Sequence, residues 1–276
     1  MYIASGLTNN KKQHTMNKRF FVAILAMMIT GTALAQKQFK SWNKNVVIAH
    51  RGAFKTQNLP ENSIASLKEA IKIGCFGSEF DVQFTKDNIV VVNHNGDFLG
   101  KDIATSTYQE LVDYKKLSNG ESIPTLVEYL KAGIKQKKTK LILEIKPQKT
   151  QEREEALTKS VIATVNELKA TPWIEYITFS HFIGKYLIAN VPNAKVSYLN
   201  GELEPAKLKE EGFYGLDYHQ NVFKKNPDWI KQAKDLGLII NVWTVNAAAD
   251  MDRLLEQKVD YITTNEPELL FTKIKK

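Results

Sequence analysis

Short apolar runs rich in β-branched residues alternate along the chain with longer amphipathic stretches, and this alternation constrains the fold most strongly. Such alternation is typical of parallel strands joined by crossover helices. The predicted strands are 46–49, 78–82, 140–145, 176–179, 195–199, 214–217, 238–243 and 261–263. The predicted helices are 63–73, 125–135, 152–168, 205–211, 228–236 and 248–257. Eight strands predict an α/β fold, a closed TIM (β/α)8 barrel.

An open, doubly wound sheet shows the same alternation and is the alternative architecture. The strand count favours the barrel, and no Gly-x-Gly-x-x-Gly sequence follows the first strand. A composition of 43% hydrophobic and 25% charged residues excludes disordered and fibrous classes. We therefore expect one barrel domain with a full hydrophobic core.

One further strand candidate, residues 89–92, interrupts the regular alternation. Only residues 85–88 separate it from the second barrel strand, which is too short a connection for a helical crossover. It should therefore return antiparallel to that strand and deliver His94 to the mouth of the barrel. The polar residues 95–123 then predict an irregular insertion over the active face, a small lid or substrate-shaping segment.

The N-terminus predicts export. Residues 1–15 are interpreted as an extended start before Met16, and residues 16–35 combine Lys18-Arg19, an apolar core and Ala33-Leu34-Ala35. The apolar core is too short to favour a retained membrane anchor. Cleavage after Ala35 leaves a mature domain of residues 36–276, periplasmic or secreted. Setting aside residues 1–35, which have four basic and no acidic residues, lowers the net charge from +8 to +4, so nothing indicates a nucleic-acid partner.

Ionisable residues follow the apolar runs of the first three barrel strands. His50 ends the first strand, Glu79 and Asp81 lie two apart in the second, and Glu144 and Lys146 lie two apart at the third. Each pattern alone is more typical of a solvated strand or a salt bridge, but their common position at strand ends indicates an active site. Three carboxylates on inward faces would repel one another without a cation. Their oxygens favour one divalent ion, Ca²⁺ or Mg²⁺.

The chain resembles the glycerophosphodiester phosphodiesterase family over about residues 45–270. The motifs that carry the resemblance are His50-Arg51-Gly52, Pro60-Glu61-Asn62-Ser63, Glu79-Phe80-Asp81, His94, Ile123-Pro124-Thr125-Leu126, Glu144-Ile145-Lys146 and Thr264-Asn265-Glu266-Pro267. The resemblance implies a TIM barrel that uses a divalent metal to hydrolyse a small-molecule glycerophosphodiester to glycerol 3-phosphate and an alcohol.

The same resemblance implies roles for eight residues. They are the acid/base pair His50 and His94, the metal ligands Glu79, Asp81 and Glu144 with Glu61 in or near the metal's shell, and the phosphate-binding Arg51 and Lys146. Asn95 replaces the acidic residue that commonly follows the second histidine in this family, which favours His94 as the acid. Trp243, at the end of the seventh strand, either packs on the glycerol carbons or is a rim tryptophan.

Two other functions stay open at this point. A phosphodiesterase for lysophospholipids or sphingolipids would keep the same metal and histidines but would need an apolar groove. A noncatalytic phosphate-ligand binder would be expected to lose a histidine or a carboxylate, and this chain has all of them. The sequence does not choose between water and a neighbouring substrate hydroxyl as the attacking group, and it leaves the oligomeric state open.

Overall fold

Residues 42–274 are the part of the chain that the computed structural model describes. The predicted extended start of residues 1–15 and the predicted signal peptide of residues 16–35 lie outside the described residues. The strands are β1 (Val47–Ala49), β2 (Gly77–Phe84), β3 (Val90–Val92), β4 (Asp97–Phe98), β5 (Lys101–Asp102), β6 (Lys140–Ile145), β7 (Ile174–Thr178), β8 (Val196–Tyr198), β9 (Gly215–His219), β10 (Ile239–Trp243) and β11 (Tyr261–Thr264). The helices are α1 (Ile64–Ile73), α2 (Tyr108–Tyr114), α3 (Leu126–Gly133), α4 (Gln151–Glu167), α5 (His181–Asn190), α6 (Pro205–Glu210), α7 (Gln220–Lys225), α8 (Trp229–Asp235), α9 (Ala248–Glu256) and α10 (Pro267–Ile274), with a 3-10 turn at Thr171–Trp173.

Eight of these strands form a closed parallel barrel. Their order is β1, β11, β10, β9, β8, β7, β6 and β2, and pairing of β1 with β2 closes the ring. Ala49 is the register partner of Thr264 on one side and of Ser78 on the other. The predicted TIM barrel is therefore confirmed and the open sheet is excluded. Each predicted barrel strand exists, with bounds that differ by at most two residues.

The barrel interior is apolar, and carboxylates face inward at the C-terminal ends of its strands. Side chains alternate between the two faces of a strand, so every second residue points into the barrel. An apolar cluster fills the interior with Ile48, Phe76, Ile142, Ile177 and Leu199. Glu144 lies two residues beyond Ile142, toward the C-terminal end of β6. The alternation that builds the core thus also turns the carboxylates inward at the mouth.

The helices pack around the barrel and begin at side-chain caps. Ser63 caps α1 by accepting from the backbone N–H of Ser66, and Thr125 forms a capping box with Glu128 at α3. The six predicted helices are present, whereas α2, α5, α7 and α10 were not predicted from the sequence. In the described part of the chain, no helix has the length and apolar character needed to cross a membrane.

The segment after β2 departs from the irregular structure that the sequence predicted. β3 pairs antiparallel to β2, as the short connection predicts. Residues 95–123, expected to be irregular, instead contain the β4–β5 hairpin and the helix α2, which starts in a capping box. Together with Val91 of β3, these residues form a separate small core, which contains Phe98, Ile103, Leu111 and Ile123. This core, which the sequence pattern did not reveal, holds the insertion in an ordered position.

Candidate active site

A pocket opens at the C-terminal mouth of the barrel and collects most of the predicted site residues. Its lining residues are His50, Arg51, Glu79, His94, Glu144, Lys146, Ile177, Phe179, Leu199, Asp217, Trp243, Thr244 and Thr263. The C-terminal mouth is where TIM barrels place their active sites, because the loops after all eight strands converge there. Asp81 and Glu61 adjoin this pocket through their contacts with Arg51.

A strained turn follows β1 and sets the position of Arg51. The backbone of Arg51 adopts a φ of 54°, a left-handed conformation that is uncommon for a residue with a side chain. Gly52 follows at a φ of 83°, and a Cβ there would lie 2.4 Å from Ser66 Oγ, so only glycine fits. The turn directs the backbone N–H of Arg51 to Glu79, which accepts it at 2.7 Å. The His-Arg-Gly sequence therefore links the first strand to the carboxylates of the second.

Three carboxylates meet beneath this turn. Ligand oxygens of Glu79, Asp81 and Glu144 all lie within 4.8 Å of one another, and the three side chains are buried. Burial and the neighbouring Asp81 charge raise the pKa of Glu144 to about 8. The same causes raise the pKa of Glu79 well above its usual range. Ionising all three buried carboxyl groups is therefore unfavourable in the absence of a cation. A bound cation would offset this cost.

Asp81 is the carboxylate that stays ionised. Burial alone would raise its pKa, but the charge of Lys146 and a hydrogen bond from Asn62 outweigh burial, so the pKa of Asp81 is lowered. Lys146 Nζ lies 2.9 Å from Asp81 Oδ1 and 2.8 Å from Glu144 Oε1. Asn62 donates to Asp81 Oδ2 at 2.8 Å and accepts from its backbone N–H at 3.2 Å. Lys146 and Asn62 therefore hold the Asp81 carboxylate in one orientation through both of its oxygens.

The carboxylate cluster fits a divalent metal ion. Within residues 42–274, the buried oxygen Glu79 Oε1 has no hydrogen-bond partner, so it has a lone pair left for a ligand. Hard carboxylate oxygens are the donors that Ca²⁺ and Mg²⁺ prefer. The predicted ligands Glu79, Asp81 and Glu144 are thus brought together. Glu61 is not in this group: its carboxylate lies 2.6 Å from Arg51 Nη1 and is 44% exposed, and its place in the metal's shell stays a prediction.

His50 lies at the end of β1 with its ring fixed by Asn265. The two are 215 residues apart in sequence, and His50 Nδ1 lies 2.6 Å from Asn265 Oδ1. An amide oxygen only accepts, so Nδ1 carries the proton and Nε2 is left as the acceptor. Burial, together with the charge of Arg51, lowers the pKa of His50 to about 4. The ring is therefore neutral at pH 7 and able to take a proton.

His94 reaches the same pocket from the insertion side. It follows β3, and Gln83 on β2 donates to its backbone oxygen at 3.0 Å, which ties the loop to the barrel. Its Nδ1 lies 2.9 Å from Asn95 Oδ1. Burial lowers the pKa of His94, although the charge of Asp81 opposes this change. Asn95 thus orients the ring through an amide oxygen, a neutral acceptor in place of a carboxylate.

The wall opposite the carboxylates is largely aromatic. Trp243 packs edge-on against Phe179, with ring centroids 5.5 Å apart, and its Nε1 donates to the backbone oxygen of Asp217 at 2.8 Å. Trp243 therefore lines the pocket as well as closing its rim. His219 packs on the other side of Trp243, at 5.2 Å between centroids. His181 instead pairs with Glu211 on the outer surface.

Three polar residues of the site were not predicted as functional residues. Asn62 and Asn265 both belong to the quoted motifs, so their place in those motifs was the available signal. Asp217 is 2% exposed and lines the pocket, and burial raises its pKa to about 7. Its only signal in the sequence is its position at the end of the sixth barrel strand.

The fold and the site define the class of protein as a TIM-barrel enzyme for a phosphate ester. A family model described as the glycerophosphoryl diester phosphodiesterase family matches residues 50–269. A glycerophosphodiester phosphodiesterase of Caldanaerobacter subterraneus subsp. tengcongensis is 31% identical over 84% of this chain and 99% of its own length.

Solved structures agree with this match. The crystal structure of a glycerophosphodiester phosphodiesterase from Parabacteroides distasonis is 45% identical, with a TM-score of 0.81 over 85% of this chain and 98% of that chain. An Oleispira antarctica phosphodiesterase, solved in complex with the product sn-glycerol-3-phosphate, is 24% identical, with a TM-score of 0.67 over 84% of this chain and 97% of that chain. The chain belongs to the glycerophosphoryl diester phosphodiesterase family and is an enzyme, as the resemblance implied. The noncatalytic binder is set aside.

Proposed function

We propose that this enzyme hydrolyses glycerophosphodiesters to sn-glycerol 3-phosphate and an alcohol with one divalent ion, Ca²⁺ or Mg²⁺, and that His50 and His94 transfer the protons. The observation that carries the proposal is the meeting of both histidines, Arg51 and Lys146 in one pocket above the buried carboxylates. A phosphodiester repels an attacking nucleophile through its charged oxygens. Cationic groups at the pocket offset that repulsion and stabilise the transition state.

Each side chain has a distinct part in the proposed reaction. Glu79, Asp81 and Glu144 would hold the divalent ion, which when bound supplies positive charge for the phosphate oxygens. Arg51 and Lys146 bind the remaining phosphate oxygens. Lys146 is suited to this because, although burial lowers its pKa, the charges of Asp81 and Glu144 raise it further, so it stays protonated.

The two histidines have different surroundings, and this difference supports different roles in proton transfer. His50, with its lowered pKa and free Nε2, takes the proton of the attacking hydroxyl, whether from water or from the neighbouring glycerol hydroxyl. His94 gives its proton to the oxygen of the leaving alcohol. The Asp81 carboxylate supports this role because it raises the pKa of His94 and so opposes the effect of burial.

The insertion favours a small polar substrate over a lipid. Of its apolar residues, Phe98 and Ile103 are each 1% exposed and Leu111 is fully buried, so they form the insertion's own core. Leu99, at 46% exposed, is the large apolar side chain that the insertion presents beside Arg51 and His94. One leucine offers little surface for an acyl chain, which supports glycerophosphodiesters over lysophospholipids and sphingolipids.

The experiment is a hydrolysis assay of the purified mature chain. Glycerophosphocholine, glycerophosphoethanolamine and lysophosphatidylcholine are compared with and without a chelator. We expect sn-glycerol 3-phosphate from the first two, and its loss in chelator with recovery on adding Ca²⁺ or Mg²⁺. Full activity in chelator would refute the requirement for a divalent ion. Faster turnover of lysophosphatidylcholine than of the two glycerophosphodiesters would refute the proposed substrate class.

Variants of the histidines test the proton transfers. General acid or base catalysis contributes about 10²- to 10⁴-fold, so His50→Ala and His94→Ala should each lower kcat by about that factor. A nitrophenyl diester has a leaving group that needs no proton, so His94→Ala should be largely rescued on it and His50→Ala should not. If neither variant slows turnover even about tenfold, the histidines are structural.

We also propose that the protein is exported, with a mature N-terminus at Gln36. The support is the sequence of residues 16–35. Mass spectrometry of the native protein from periplasm or medium should find Gln36 first. An intact segment 20–35 on that protein would contradict export by cleavage.

A further inference from the structure

Two pockets meet at Arg51 and His94, and they differ in character. The first, already described, enters the barrel mouth between Phe179, Trp243 and Asp217. The second lies outside the barrel, between the loop that carries Glu61 and Asn62 and the loop that carries Asn93, Asn95, Asp97 and Leu99. A phosphate bound by Arg51 therefore lies where the two pockets join. Each pocket can then take one of the two arms of a diester.

The chemistry of the two arms assigns them to the two pockets. In a glycerophosphodiester the glycerol arm is constant, while the alcohol arm varies in size and charge. The variable arm needs the pocket between the loops, and the constant arm fits inside the barrel, where rigid strand residues form the walls. Phe179 and Trp243 supply apolar surface for the glycerol carbons. A glycerol arm also has hydroxyl groups, which need an acceptor once they leave water.

Asp217 lines the pocket inside the barrel and has a carboxylate oxygen that could accept such a hydrogen bond. It lies on β9 in register with Asn241 of β10, and its side chain is 2% exposed. Asn241 hydrogen-bonds to the carboxyl group, but Oδ1 has no partner within residues 42–274. A buried carboxylate oxygen without a partner is costly, so its retention at a pocket wall indicates a ligand that donates to it. Asp217 is also separate from the metal cluster of Glu79, Asp81 and Glu144.

We propose that Asp217 is a specificity-determining residue that accepts a hydrogen bond from a hydroxyl of the glycerol arm, an inference that rests on the proposed function. The backbone supports this role, because the oxygen of Asp217 accepts from Trp243 Nε1 at 2.8 Å. The aromatic wall and the acceptor are thereby fixed to each other. Binding of a phosphate monoester should therefore depend on whether the ester carries hydroxyl groups.

The test measures binding without turnover, by titration calorimetry of the protein in excess Ca²⁺. The two probes are sn-glycerol 3-phosphate and ethyl phosphate, which has the phosphate but no hydroxyl. The titration is made at pH 8, above the pKa of about 7 of Asp217, so that most of the carboxyl groups are ionised. A hydrogen bond to a charged group contributes about tenfold or more in affinity, so the wild type should prefer sn-glycerol 3-phosphate by about that factor. Asp217→Asn and Asp217→Ala should each reduce the preference to about threefold or less while leaving ethyl phosphate binding unchanged.

The control variant is Asp260→Asn, since Asp260 directly precedes β11 at the other end of the barrel and accepts from the backbone N–H of Ile240. It should keep the full preference. The proposal would be overturned if the wild type bound the two probes equally or bound neither. It would also be overturned if the Asp217 variants lost affinity equally for both probes. Should Asp217→Ala fail to fold, the isosteric Asp217→Asn decides. If the wild type prefers sn-glycerol 3-phosphate over ethyl phosphate but hydrolyses no glycerophosphodiester, the proposed function is refuted instead.

Discussion

Lys146→Met tests whether Lys146 balances the charge of the carboxylate cluster. The lysine is 12% exposed and lies within 2.9 Å of Asp81 and Glu144, whose side chains are 1% and 8% exposed. Removing one partner of a buried ion pair costs about 3–5 kcal/mol, because the other charge stays buried without compensation. The pKa of about 8 for Glu144 means that it is largely protonated at pH 7, which limits the loss. We therefore expect about 3 kcal/mol, mainly from Asp81.

The assay is urea unfolding of the metal-free protein in chelator at pH 7. Lys224→Met is the control: Lys224 pairs with Asp250 at 3.3 Å, the two side chains are 49% and 26% exposed, and Asp250 keeps Arg253 as a partner. Its loss should therefore cost at most about 1 kcal/mol. In excess Ca²⁺ the Lys146→Met deficit should shrink, because the ion supplies the missing positive charge. If Lys146→Met and Lys224→Met are equally stable in chelator, the charge balance described here is wrong.

Three further predictions concern stability, each measured by urea or thermal unfolding. Glu121 accepts from the backbone N–H groups of Ile64 and Ala65, so Glu121→Ala should cost about 1–2 kcal/mol, and a loss below a few tenths would refute this cap. Burial raises the pKa of Asp217 to about 7 from 3.8, so the folded state binds an extra proton between these values and wild-type stability falls as pH rises through that window. Because Glu144 and Glu79 also have raised pKa values and stay in the variant, Asp217→Asn should flatten this slope without abolishing it, and it should be more stable than wild type at pH 8. An unchanged slope would contradict the assignment. Phe98→Ala removes a ring from the insertion core and should cost about 3–5 kcal/mol, whereas a loss under about 1 kcal/mol would mean that the insertion is not packed as described.

The barrel could be predicted because its information is local. Each barrel strand is a short apolar run in the sequence. Successive side chains of a strand point to opposite faces, so residues two apart, such as Glu79 and Asp81 or Glu144 and Lys146, share the inward face. The position of His94 followed from the length of the connection at residues 85–88. Only an antiparallel return fits so short a connection, and the pairing of β3 with β2 confirms it.

The parts of the fold and of the site that were not predicted depend on contacts between residues far apart in the sequence, which a local sequence pattern does not reveal. The helix α5 is apolar on several sides, so it has no clear amphipathic stripe. The ring of His50 is set by Asn265, 215 residues away, and Asp81 is held by Asn62. The core around Phe98 forms from residues scattered over a polar segment. Such contacts arise only after the chain has closed into a barrel.

The most direct test of the account compares two buried glutamates of the barrel. Glu79 is 3% exposed at the C-terminal mouth, and Glu175 is 7% exposed near the start of β7, where it pairs with Lys195. The measurement is the glycerophosphocholine hydrolysis rate of Glu79→Gln and Glu175→Gln, with bound Ca²⁺ counted by calorimetry. We predict that Glu79→Gln loses the ion and at least about 10²-fold in rate, while Glu175→Gln keeps both within about threefold. Retained activity in Glu79→Gln, or an equal loss in both variants, would contradict a catalytic metal site at this mouth.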